Sequence, residues 1–63
     1  MTKITYYRNA GEWCYAVFRD GEFDSSDTIG CPDDTSEADV GVLLAAEWGT
    51  RAYVIVRVAD TAE

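Results

Sequence analysis

Carboxylates are the chemistry this sequence offers in quantity. Eight of its twelve acidic side chains fall between positions 20 and 39, at Asp20, Glu22, Asp24, Asp27, Asp33, Asp34, Glu37 and Asp39, with no Lys or Arg among them. That stretch carries −8; the rest of the chain, with four acids and five bases, carries +1, which gives the net charge of −7. A block of this kind could ligate a cation, assist acid–base chemistry, attract a basic partner, or simply keep a surface solvated.

The first two uses lack parts. Asp20-x-Glu22-x-Asp24, with Asp27 close by, has the opening spacing of a calcium loop. The sixth and twelfth positions, which such a loop fills with Gly and Glu, hold Ser25 and Cys31, so a solvated hairpin end is the better reading. The chain has no His, which removes the commonest general base and the commonest zinc ligand. Ser25, Ser26 and Ser36 have no base beside them, and there is no Gly-rich phosphate loop. Hydrolysis by paired carboxylates needs a cleft between the two acids, for which 63 residues leave little room. No catalytic residue, metal ligand or cofactor is expected.

The third use fits. A net charge of −7 opposes direct contact with nucleic acid or an anionic membrane, because phosphate recognition needs Lys and Arg. The same charge suits a protein partner whose own surface is built for phosphate. Carboxylates spaced along a hairpin and a helix N-terminus would take the place of phosphates, and steering by such a patch speeds association. The expected partner-binding set is Asp20, Glu22, Asp24, Asp27, Asp33 and Asp34, with Tyr15 and Tyr53 as apolar anchors. Asp34, Glu37 and Asp39 also serve a helix start, and Asp20 serves a turn. Glu22, Asp24, Asp27 and Asp33 are therefore the sharper subset. The plain alternative is a solubilising edge.

These residues sit on few elements. With 48% apolar residues, two Trp, four Tyr and two Phe, the chain is too hydrophobic for a disordered acidic tail; it reads as one compact domain over 1–63 with a thin core. Lys3 to Arg8 and Trp13 to Arg19 are predicted strands, joined by a turn at Asn9-Ala10-Gly11. Both faces of the second are apolar, so alternation leaves its core face open. Asp20-Gly21 is a hairpin signal, after which Glu22 to Asp27 returns as a weak edge strand with Phe23 its only large apolar residue.

A loop through Gly30 and Pro32 leads to a helix from Ser36 to Trp48. It is capped by the Asp34–Glu37 or Ser36–Asp39 spacing and closed by Gly49. Val40, Leu43 and Leu44 form its buried stripe, and Gly41 is expected where helix and sheet approach closely. Arg51 to Val58 is the last strand, with Ala52, Val54, Val56 and Val58 as the better core face. The fold class is α+β: a β-β-β-α-β domain with one mostly antiparallel sheet and a single helix on one face.

Tyr7, Trp13, Tyr15 and Tyr53 could make an exposed aromatic platform for a protein partner, or divide between core and surface. Cys14 reads as a core residue. Cys14 and Cys31 form the one pair the chain offers; the N-terminal residues carry no secretion signal, which predicts a cytoplasmic chain with reduced thiols. No stretch approaches a membrane span. Monomer and homodimer are both open.

Two family resemblances bear on function. Gly30-Cys31, Asp34-Thr35 and Ala38 resemble the Gly-Cys, Asp-Thr, Glu-Ala run between the third strand and the helix of HicB-type antitoxin domains, whose element order is similar. That resemblance implies neutralising a small RNA-cleaving toxin. In size, acidity and lack of catalytic parts, the chain also resembles phage-encoded inhibitors, among them anti-CRISPR proteins that imitate nucleic acid. That likeness implies a non-enzymatic inhibitor filling the basic groove of a nucleic-acid-handling protein, for example a CRISPR effector. A structural module with no charged target is the third reading.

Overall fold

A computed structural model describes residues 1–52 and 54–60. The chain runs β1 (Thr2–Asn9), β2 (Glu12–Arg19), β3 (Glu22–Thr28), α1 (Glu37–Trp48), a single 3-10 turn (Gly49–Arg51) and β4 (Val54–Arg57). The sheet order is β3-β2-β1-β4. The first two hairpins are antiparallel, and β4 lies parallel to β1 because α1 carries the chain back across the sheet. This is the expected α+β domain with one helix on a mostly antiparallel sheet.

Both hairpins close on two residues with positive φ: Ala10 at 56° and Gly11 at 81°, then Asp20 at 54° and Gly21 at 85°. Mirror-image turns of this kind match the right-handed twist of the strands they join. Ser36 caps α1, its hydroxyl accepting the Asp39 N–H at 3.2 Å, and the Gly49 N–H closes the other end on the Ala45 carbonyl.

Register fixes the core. Ile4 lies opposite Val17 on one side and Ile55 on the other, so odd positions of β2 and β4 and even positions of β1 face α1. Ile4, Trp13, Val17, Val40 and Leu44 form the buried cluster, with Ile55, Tyr6, Tyr15 and Trp48 packed around it. Three expectations are corrected here. The core face of the last strand is Ile55, not Val54, Val56 and Val58; Val56 and Val58 are each 36% exposed. Arg51 to Val58 is not one strand, because Gly49–Arg51 forms the 3-10 turn and β4 begins at Val54. Its β-branched residues fall on both faces, so only the pairing of Ile55 with Ile4 sets the parity. In α1, Val40 and Leu44 are buried as expected, whereas Leu43 is 45% exposed on the flank.

Gly41 does mark a close approach. A Cβ there would stand 3.1 Å from the Tyr6 hydroxyl and 3.8 Å from its ring carbon. Alanine in place of glycine favours a helix by about 1 kcal/mol, but here the tight contact opposes it. Gly41→Ala is therefore expected to change stability little in the native background. In a Tyr6→Phe background, where the 3.1 Å contact is gone, it should stabilise by roughly 0.5–1 kcal/mol. Urea denaturation of the four-member cycle measures this; equal effects in both backgrounds would remove the contact from the explanation.

Candidate functional site

α1 lies over β1, β2 and β4 and stops short of β3, all seven residues of which are exposed. Between the helix and that uncovered edge lies a cleft of about 620 Å³. Tyr15 and Trp48 line it at the sheet and helix end, their rings edge-on at 6.3 Å. Ile29 to Pro32 form its loop wall, and Leu43, Ala46 and Glu47 form its helix wall.

The expected acids line the strand and loop beside this cleft. Asp27 pairs with Tyr15 and Glu22 with Arg19, which puts both carboxylates on the helix side of the edge strand. Asp24 is the extra residue of a bulge, since Val17 pairs with Ser25 and Phe18 with Phe23. Its carboxylate takes the Arg19 Nε at 3.2 Å, so part of its charge is already answered. Asp20 sits in the hairpin turn and accepts the Met1 amino group at 2.5 Å; that hydrogen bond and its positive charge hold the carboxyl below the usual range.

Asp33 and Asp34 lie in the loop before α1, both exposed. That loop is tied to the sheet by its backbone: Trp13 donates its indole N–H to the Thr35 carbonyl at 2.9 Å, and Arg8 donates to the Asp33 carbonyl at 2.6 Å. Trp13 is itself clamped, with the Arg8 and Arg57 guanidinium groups 4.8 and 5.0 Å from its ring centroid. Tyr15 lines the cleft; Tyr53, the other predicted anchor, lies outside the described residues.

The bases are used internally. Arg57 bonds Glu37 and Asp60, Arg19 bonds Asp24, Arg51 stacks on Trp48 at 4.9 Å and bonds the Glu47 carbonyl, and Lys3 stands over the Phe18 ring at 5.6 Å. Arg8 completes the set on Trp13. Asp60, held by the Arg8 backbone N–H and then by Arg57, has its carboxyl lowered in turn. Among the described residues, Glu22, Asp27, Asp33 and Asp34 make no ion pair.

A common aromatic platform does not form. Trp13 and Tyr15 face α1, while Tyr7, paired with Cys14, lies on the other side of the sheet, and Trp13 is only 3% exposed. Cys14 is buried, but on that second face rather than under the helix. Burial, and then the nearby Glu12, push its thiol pKa up. Cys14 and Cys31 are free thiols. Among the described residues no group of three or more His, Cys, Asp or Glu converges as a metal site, and no helix is long and apolar enough to cross a membrane.

The cleft itself was not legible beforehand. Ile29, Cys31 and Pro32 look like any loop in sequence, and their role follows only from where α1 stops. Fold and site together define a small α+β domain whose distinctive surface is an acidic strand edge beside an apolar cleft. Comparison with protein-family models, curated proteins and solved structures finds no match for the chain.

Proposed function

We propose that this chain is a non-enzymatic acidic binding protein that occupies the basic groove of a nucleic-acid-handling protein, in the manner of the phage-encoded inhibitors it resembles in kind. The observation that carries this reading is the disposition of charge. All five bases are engaged inside the molecule, while Glu22, Asp27, Asp33 and Asp34 stand exposed without an ionic partner among the described residues.

A strand rise of about 3.4 Å per residue spaces Glu22 and Asp27 by roughly 15 Å along the edge. These two acids are thus spread along the edge rather than clustered, as a substitute for a phosphate backbone requires. The cleft beside them, with Tyr15 and Trp48, supplies a place for an apolar anchor from the partner, and interfaces draw most of their affinity from a few such anchors.

The test is capture from cell extract on the immobilised chain and on its Asp27→Lys/Asp33→Lys variant. Basic nucleic-acid-binding proteins should be retained by the native chain alone, released by salt and displaced by added nucleic acid. Equal retention by both columns, or indifference to nucleic acid, would count against the reading. A retained small RNA-cleaving toxin would identify the partner as the one the HicB-type resemblance implies.

A further inference from the structure

The sheet face turned away from α1 is covered by nothing in the described residues, and its chemistry is unlike the rest of the molecule. Register places Phe23, Phe18, Lys3 and Val54 in one row across the strands, Ser26, Ala16, Thr5 and Val56 in the next, and Thr28, Cys14 and Tyr7 in the third. In a chain of net charge −7, these three rows hold no carboxylate. Phe23 is 62% exposed and Val56 36%, yet Thr5, Cys14 and Ala16 between them are less than 8% exposed. Large apolar groups therefore rise around a floor of small ones. Phe18 and Phe23 meet edge to face at 5.8 Å, which fixes the rings at one end.

Charge on this face is confined to its two ends. Lys3 lies in the first row, beside Asp20, whose carboxylate is answered by the Met1 amino group at 2.5 Å so that this end stays net positive; Glu12, paired with Asn9, lies beyond the third on the same side of the sheet. By strand rise the two are roughly 20 Å apart. A twofold axis in the plane of the face, running across the strands, would bring the Lys3 end of one copy over the Glu12 end of another. The face is thus complementary to itself, as an isologous contact demands.

Its size also fits. Four strands about 4.8 Å apart and roughly 20 Å of strand length give the face a footprint at the low end of the interface range, which suits a weak, reversible dimer. With a buried cluster of five among the described residues, the chain also has more than usual to gain from a second core.

We propose that this face packs against the same face of a second copy, sheet on sheet, to give a homodimer in which both acidic edges and both clefts remain open. The contact is separate from the acidic site and does not depend on its function. Two copies of −7 repel each other, and exposed end pairs such as Lys3–Glu12 contribute little. Dimerisation should therefore strengthen severalfold between about 0.1 and about 1 M salt, as the screening length falls from about 10 to about 3 Å. Capture of a basic partner should weaken over the same range.

Sedimentation equilibrium from micromolar to millimolar protein decides the matter. The native mass should rise from 7.0 kDa to twice that. Phe23→Lys or Val56→Lys, at positions exposed enough to keep the fold by circular dichroism, should raise the dimer dissociation constant at least about tenfold, by burying an unpaired charge. Lys3→Glu should weaken the dimer only modestly, at about 0.1 M salt, and adding Glu12→Lys should reverse that small shift. A monomer throughout at high salt would assign the face to another occupant and overturn the proposal. So would a dimer dispersed by Val42→Lys on the exposed helix flank and indifferent to Phe23→Lys.

Discussion

Trp13→Ala is expected to remove about a third or more of the stability of the fold, and all of it if the native chain lies at the low end of the range for its size. Loss of a buried Trp side chain costs about 3–5 kcal/mol, and a domain of this size has about 3–9 kcal/mol of stability in all by the usual per-residue range. The indole does more than fill the core. Its N–H holds the Thr35 carbonyl at 2.9 Å, and its ring is the surface on which Arg8 and Arg57 rest. Those guanidinium groups in turn reach Asp33, Glu37 and Asp60. Removing the ring therefore releases β1, β4 and the loop before α1 together. Trp13→Phe keeps an aromatic ring for the two arginines but not the N–H, and should cost more moderately, about 1–3 kcal/mol from the Thr35 carbonyl left without its donor. Far-UV circular dichroism with urea denaturation ranks the three proteins; an alanine variant as stable as the native chain would show that the clamp holds nothing.

Charge reversal at Asp27 and Asp33 is expected to weaken partner binding by about a hundredfold or more, since placing like charges across an interface costs several kcal/mol. The fold should not change. Both residues are exposed, neither forms an ion pair among the described residues, Asp33 anchors its loop through a backbone carbonyl that substitution leaves in place, and Asp27 gives up only the 2.8 Å bond its carboxylate accepts from the exposed Thr28 N–H. The same reversal at Asp24 is less informative, because Arg19 loses its 3.2 Å partner at the same time. Reversal at Asp20 likewise disturbs a turn with φ of 54°. Within the acidic stretch Glu22, Asp27, Asp33, Asp34 and Asp39 make no ion pair among the described residues, and Asp39 sits in the first turn of α1. Ser36, not Asp34, caps the helix.

Local signals were legible where they were self-contained. Asp20-Gly21 specifies its mirror-image turn, Ser36 and Gly49 bound the helix, and Gly41 marks the approach of Tyr6, each within a few residues. Choices that depend on pairing were not legible. The two apolar faces of β2 and β4 look alike until Ile4 meets Val17 and Ile55. The bulge at Asp24 also depends on a register that no single strand encodes. The run of acids is visible in the sequence because charge stands out, but their placement on β3 and the loop follows only from the register. The cleft could not be read, since it exists only because α1 leaves β3 uncovered.

The most direct test of the acidic site is the salt dependence of binding to the captured partner, measured for the native chain and for Glu22→Gln/Asp27→Asn/Asp33→Asn/Asp34→Asn. These substitutions keep shape and remove charge. Native affinity should fall by about a hundredfold or more between about 0.1 and about 1 M salt. The neutral variant should bind weakly and almost independently of salt, with the two converging at the high end. Parallel curves, or a variant that binds like the native chain at low salt, would contradict the account.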